Sequence, residues 1–316
     1  MQWSQIKTLF ILCFLVLDIY LLVQFIDKQD RAAQEQYPGG EDLTLQEELE
    51  REDITLGDID VGVEKDSSIS VLPMEYTDKQ VGEIESLENQ EAVLNTEDLI
   101  VGHMDEPVPI AEDAGGEEIS NIISNFIYQF DSYQFWKWDK DLNVLLFFQE
   151  KENQPIYYNQ NALLLVYLNE DNEMEYYTQS MLGEANGKKE SAKRTLIQPI
   201  QAIGTLYNNN ELVSKDTVDV DYGYHTWISS LENGKQVFAP TYKVSVNDER
   251  DYFVNAIEGQ VFSNSDESFT RDMVRENLGD IQLIPQDVDW KEDMINKLRT
   301  LTQTQAETET ETNRSE

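Results

Sequence analysis

The sequence predicts an α+β protein: a single N-terminal transmembrane helix followed by an extracytoplasmic antiparallel-sheet domain with packed helices. Three observations predict it. Residues 6–26 form one apolar run. Between Gln134 and Phe262, short alternating or continuous apolar stretches recur between polar turns. Two segments, Ile119 to Phe130 and Ile197 to Leu206, carry apolar residues at helical spacing.

The first element reads IKTLFILCFLVLDIYLLVQFI, and from Leu9 onward only Asp18 and Gln24 interrupt its apolar character. A helix of that length spans roughly 30 Å, the thickness of a bilayer core. A cleavable signal peptide has a shorter apolar stretch and a small-residue site soon after it. Here the only candidates, Ala32 and Ala33, follow the charged residues Asp27, Lys28, Asp30 and Arg31. Lipid attachment at Cys13 is excluded because Leu12 stands where a small residue is needed. Basic residues do not assign the orientation, since Lys7 precedes the apolar centre that starts at Leu9 while Lys28 and Arg31 follow the span. A short stub is easily retained and long downstream domains translocate largely regardless of charge, which places residues 1–5 in the cytoplasm and the main domain outside. Asp18 costs at least about 2.5 kcal/mol inside the span unless it finds a partner or reaches water. It is either protonated or tilted toward the headgroups, or it contacts another transmembrane helix.

Residues 27–117 read as an acidic juxtamembrane region. From Asp27 to Glu118 there are 28 acidic and 5 basic residues. Within it TLQEELEREDI predicts a short amphipathic helix, Ile54 to Val63 alternates as a strand, and Glu83 to Ile110 is expected to be disordered. The folded α+β domain is assigned to 118–263. It opens with a helix over 118–130 and continues with strands at Gln134 to Trp138, Leu142 to Gln149, Ile156 to Tyr158, Ala162 to Leu168 and Met174 to Ser180, the last two joined by an acidic turn. A second helix covers Leu196 to Tyr207, with Pro199 in its first turn. Val213 to Tyr224, Val237 to Val246, Tyr252 to Ala256 and Val261 to Phe262 complete the sheet. Residues 264–301 hold two amphipathic helices around Met273, Val274 and Leu278 and around Trp290, Met294 and Leu298, and 302–316 is a polar, disordered tail.

The composition excludes several functions. With 62 Asp and Glu against 23 Lys and Arg the net charge is −39, which repels nucleic acid and acidic lipid and favours a protein partner. One cysteine and two histidines, His103 and His225, exclude disulfides and make thiolate and histidine metal sites implausible, so no metal or cofactor is expected. No nucleophile elbow, P-loop or H-E-x-x-H helix is present, and no catalytic residue is assigned. DVDYG from Asp219 fails as a calcium loop because Tyr222 and Tyr224 occupy places where the loop needs oxygen ligands and its glycine, so its aspartates read as an exposed strand face. Asp139 and Asp141 form a carboxylate pair of the kind glycosidases use, but 62 carboxylates produce such pairs by chance. Tyr133, Phe135, Trp136 and Trp138 read as core rather than a sugar-stacking face. Lys188, Lys189, Lys193 and Arg194 read as a solvated loop, with docking of an acidic partner as the alternative. His225 reads as a residue that caps or fills the domain edge.

Two stretches together resemble the YycI family, accessory proteins of the YycF/YycG (WalR/WalK) two-component system. The opening MQWSQIKTLFILCFLVLDIYLL is similar to the family's M-x-W-S-x-x-K and aspartate-bearing span, which puts Trp3, Ser4, Lys7 and Asp18 at family positions. The block PTYKVSVNDERDYFVNAIEGQVF, Pro240 to Phe262, resembles the family's final hairpin and a PepSY-type strand pair. The resemblance implies a YycH/YycI-like fold and a regulator that partners a YycH-like membrane protein and adjusts the YycG (WalK) sensor kinase, with Asp18 as the candidate transmembrane contact. The alternatives are a PepSY-like inhibitor or chaperone of secreted proteins and, more remotely, a cell-wall hydrolase.

Overall fold

The computed structural model describes residues 44–95, 98–183, 192–228, 234–262, 266–284 and 288–312, together with positions 12, 14, 15, 17 and 20. The chain divides into two compact units, Met1–Glu52 and Asp53–Glu316. In the first, Leu12, Phe14, Leu15, Leu17 and Tyr20 are helical and exposed. The rest of the predicted span lies outside the described residues. Helix α1 (Leu45–Arg51) starts on a reciprocal cap. The Thr44 hydroxyl accepts from the Glu47 amide at 3.3 Å, and the Glu47 carboxylate accepts from the Thr44 amide at 2.7 Å. Among the described residues no helix is long and apolar enough to cross a membrane.

The second unit opens with three short strands, β1 (Thr55–Leu56), β2 (Lys65–Asp66) and β3 (Ile69–Val71). Helix α2 (Asp78–Glu85) leads into the hairpin β4 (Gln90–Leu94) and β5 (Ile100–Pro109). Helix α3 (Gly116–Ile123) is followed by β6 (Tyr133–Asp139), β7 (Val144–Lys151), β8 (Gln154–Tyr157), β9 (Leu163–Leu168) and β10 (Glu173–Gln179). After β11 (Arg194–Thr195), helix α4 (Pro199–Asn208) precedes β12 (Thr217–Ile228), β13 (Gln236–Val246), β14 (Arg250–Asn255) and β15 (Val261–Phe262). Two helices close the chain, α5 (Asp266–Ile281) and α6 (Lys291–Thr312).

Two helix-plus-meander halves emerge from this order. After α3 the strands pair antiparallel as β6-β7-β9-β10, extended by β5 and β4; after α4 they pair as β12-β13-β14-β15. Strand β8 joins the halves, turning back on β7 at Glu150↔Pro155 and lying parallel to β12 at Tyr224↔Ile156. Strand β1 adds parallel to β12, and β3 adds antiparallel to β13.

The first meander is covered on both faces, which explains its unbroken apolar strands. Leu145, Phe147, Leu164, Val166 and Leu168 pack with Ile84 of α2 and Ile119 and Ile123 of α3. Their alternates Val144, Leu146, Phe148, Leu163, Leu165 and Tyr167 pack with Val274 and Ile281 of α5 and Met294, Ile295 and Leu298 of α6. The terminal helices are therefore half of the cover of this sheet.

The expectation of disorder over Glu83 to Ile110 is overturned, because these residues contain the end of α2 and both strands of the β4–β5 hairpin. Its acidic composition is misleading: Ala92, Ile100, Val101 and Met104 are buried, while Glu91, Asp105 and Glu106 are exposed. Pro107 and Pro109 fall beyond Met104, where the pairing with β4 has ended and no N–H is needed on that side. The strand expected over Ile54 to Val63 shrinks to Thr55–Leu56, the two residues in register with β12. The helix expected over 118–130 is shorter, ending at Ile123. Helix α6 continues past Thr302, where the polar tail is expected to begin.

Candidate functional site

The junction of the two meanders is built from aromatic rings. In β6 the pairing shifts between Phe135 and Lys137, a bulge centred on Trp136. Bulges re-aim a side chain out of the regular alternation. Trp136 thereby lies 5.1 Å from Phe148, 5.6 Å from Tyr157 and 6.4 Å from Phe253, centroid to centroid, so one ring contacts strands of both halves. His225 of β12 is 5% exposed and stacks on Phe262 at 4.4 Å with 12° between the planes. Burial pushes its pKa down, partly offset by a hydrogen bond at the Thr226 carbonyl. It belongs to the junction rather than to the domain edge. The aromatic run expected to be core is at least partly buried throughout: the Tyr133 hydroxyl donates to Ser180 O at 2.7 Å, Phe135 packs edge-on to Phe147, and Trp138 Nε1 donates to Asn143 Oδ1 at 3.0 Å.

Beside Trp136 the two halves leave a groove of about 780 Å³. Its walls are the β6 segment Gln134 to Lys137, the start of β8, residues 219–222 of β12 and the β13–β14 turn. Carboxylates come from each side: Asp58 and Asp60 after β1, Glu150 on β7, Asp219 and Asp221 on β12, and Asp248, Glu249 and Asp251 at the turn. Lys137 and Lys243 also line it. Lys243 Nζ pairs with Asp221 at 2.7 Å and lies 5.0 Å above the Trp136 ring. Glu150 is partly buried, and loss of hydration raises its pKa. Asp219 and Asp221, read from sequence as an exposed strand face, are thus part of a concave wall, where Asp219 Oδ1 also accepts the Asp58 amide at 2.7 Å.

Two buried carboxylates fix the walls. Asp66 is 7% exposed and accepts the Tyr222 hydroxyl at 2.5 Å and the Tyr224 hydroxyl at 2.7 Å, tying β2 to β12. Burial, then the hydrogen bonds to Asp66, raise the pKa of both tyrosines. Asp216 accepts from the Val213 amide, Asn247 Nδ2 and Arg250 at 2.9, 2.7 and 3.0 Å, which anchors the β13–β14 turn. Burial opposes its ionised form, but these donors outweigh it and hold the pKa below the usual carboxylate value. Neither aspartate carries a local sequence signal, since the tyrosines and Asn247 are remote in the chain. Asp139, half of the carboxylate pair noted in the sequence, accepts the Leu142 amide at 3.0 Å in the β6–β7 turn, while Asp141 is exposed. Of the basic cluster, Lys188 and Lys189 lie outside the described residues, Lys193 is exposed, and Arg194 is 3.9 Å from Glu258. Among the described residues no group of three or more His, Cys, Asp or Glu side chains is placed to hold a metal ion.

Trp3, Ser4, Lys7 and Asp18 lie outside the described residues. The Pro240 to Phe262 block is an antiparallel β13–β14–β15 run in register Tyr242↔Val254 and Val254↔Val261. Among solved structures, the chain is similar to an uncharacterized protein from Eubacterium rectale, with 8% identity over 67% of this chain and 91% of that one and a TM-score of 0.40. No curated protein matches it. The model of the family described as YycI protein matches residues 34–257, well over half of the chain, and the chain belongs to that family.

Proposed function

We propose that this chain is a membrane-anchored, extracytoplasmic accessory regulator of the YycG (WalK) sensor histidine kinase, acting in complex with a YycH-like membrane protein. The family match over residues 34–257 carries the reading. The apolar run from Ile6 to Ile26 supports the anchor, as do the exposed helical side chains Leu12, Phe14, Leu15, Leu17 and Tyr20, which water solvates poorly and lipid solvates well. A regulator of this kind works by contact rather than turnover. Asp18 is the candidate contact in the span, because a carboxyl in lipid gains by hydrogen-bonding a neighbouring helix.

Interhelical hydrogen bonds in bilayers contribute about 0.6 to 2 kcal/mol, or roughly 3-fold to 30-fold in association. Asp18→Leu is therefore expected to weaken the membrane complex by that factor while leaving insertion intact. Affinity purification from membranes tests the reading, with the kinase and a YycH-like protein expected to co-purify. Their absence from the purified complex refutes the assignment, and normal kinase regulation by Asp18→Leu at normal abundance refutes the transmembrane part alone. Protease added to wall-stripped cells is expected to remove the domain after Asp27.

A further inference from the structure

The groove beside Trp136 runs between an edge of β6 to which no further strand is added and a short interruption in the strand pairing of β12. Among the described residues β6 pairs only with β7, so no further strand is added to its other edge along the groove wall. On β12 the outer edge is taken by β1 up to Val218, and the Val220 amide donates to Asp58 O at 2.8 Å. Strand pairing on that edge resumes only at Tyr224, opposite Ile156 of β8. The interruption is built into the sequence: the β8 residue before Ile156 is Pro155, which has no N–H with which to extend the ladder toward Tyr222.

Open strand edges in a groove are the geometry to which an extended peptide adds as a further strand, main-chain hydrogen bonds supplying affinity and side-chain pockets supplying specificity. The charge of the groove selects the peptide. Eight carboxylates line it against two ammonium groups, and Lys243 is paired with Asp221. Lys243 over the Trp136 ring shows that this wall accommodates a cation. The partly buried Glu150, whose carboxyl resists ionisation for want of hydration, is a group that a cationic side chain would stabilise.

We propose that the groove is a docking site for an extended, lysine- or arginine-bearing segment of a partner protein, added at the outer edge of β6 beside the interruption at Tyr222 of β12, with its cationic side chains facing the carboxylate walls. The inference goes beyond the regulatory reading and does not depend on which protein supplies the segment.

The test uses the full-length protein in detergent micelles and a fluorescent eight-residue peptide of alternating Lys and Thr, followed by anisotropy. Saturable binding that weakens with added salt is expected. A Glu and Thr peptide of the same length should not bind, and the Lys and Thr peptide N-methylated at alternate residues should lose binding because its main chain no longer donates. The pair Glu150→Gln and Glu249→Gln should weaken binding by about 3-fold to 10-fold with an unchanged circular-dichroism melt. Asp221→Asn provides an independent variant if that pair disturbs folding, with the same direction expected. The proposal is overturned if the Lys and Thr peptide does not saturate, if the acidic peptide binds equally well, or if these variants bind like the parent. It is equally overturned if spermine or the N-methylated peptide binds as tightly as the parent peptide, since the groove would then take a polycation without strand addition.

Discussion

Replacing Asp66 by alanine should destabilise the folded unit more than any surface substitution, and the size of the loss follows from what its carboxylate holds. Both tyrosine hydroxyls, at 2.5 and 2.7 Å, donate to Asp66 Oδ2, and the Ser67 amide donates to Oδ1 at 2.8 Å. A hydrogen bond to a charged group contributes about 1.5 to 3 kcal/mol net, and a buried donor left without a partner costs about 1 to 3 kcal/mol. Tyr222 and Tyr224 are 7% and 1% exposed, so water reaches their stranded hydroxyls poorly. Asp66→Ala is expected to cost about 3 to 5 kcal/mol, a large part of the 5 to 15 kcal/mol that holds a typical domain. Urea unfolding of the full-length protein, followed by tryptophan fluorescence, reads the loss as a lower midpoint at constant slope. In a background carrying Tyr222→Phe and Tyr224→Phe the same substitution should cost about 1 to 3 kcal/mol less, because no hydroxyl is left stranded. A loss below about 1 kcal/mol in the parent, or an equal loss in both backgrounds, refutes the assignment of the strut.

Leu298 is fully buried under the first meander, so Leu298→Ala should cost about 2 to 5 kcal/mol, whereas ending the chain after Thr302 should leave the thermal midpoint almost unchanged; differential scanning calorimetry separates the two. Gly102 lies against the Tyr177 ring, which a Cβ would meet at 2.0 Å, so Gly102→Ala should destabilise by about 1 to 3 kcal/mol in urea titrations. His225 has a folded pKa below the ordinary 6.5 because it is buried. Its contribution is present in full above 6.5 and lost as pH falls through the lower folded value, so His225→Phe should flatten the pH dependence of the melting temperature on the acidic side of 6.5.

Much of this molecule was legible from local pattern. Leu142 to Gln149 and Ala162 to Leu168 read as strands because their apolar character is continuous over a strand's length, and β7 (Val144–Lys151) and β9 (Leu163–Leu168) begin within one or two residues of them. Pro199 marked the first turn of α4 because a missing N–H costs nothing there. The segment from Glu83 to Ile110 misled because composition averages over both faces of a strand, while folding needs only the inward one to be apolar. Ala92, Ile100 and Met104 suffice once α2 and α3 cover them.

What the sequence by itself determined was the kind of protein: an apolar N-terminal run, an α+β domain, the strands of the two meanders and the family of the Pro240 to Phe262 hairpin. Each is carried by residues within a turn or a strand of one another, where spacing alone encodes geometry. Only the tertiary structure decided that α5 and α6 cover the first sheet, that Trp136 and Phe253 meet across the junction, that Asp66 sits beneath Tyr222 and Tyr224, and that a break in strand pairing leaves an acidic groove. Those contacts join residues far apart in the chain. They follow from strand order and register, which no local periodicity records, because the energy that selects them is gained only when the distant surfaces are buried together.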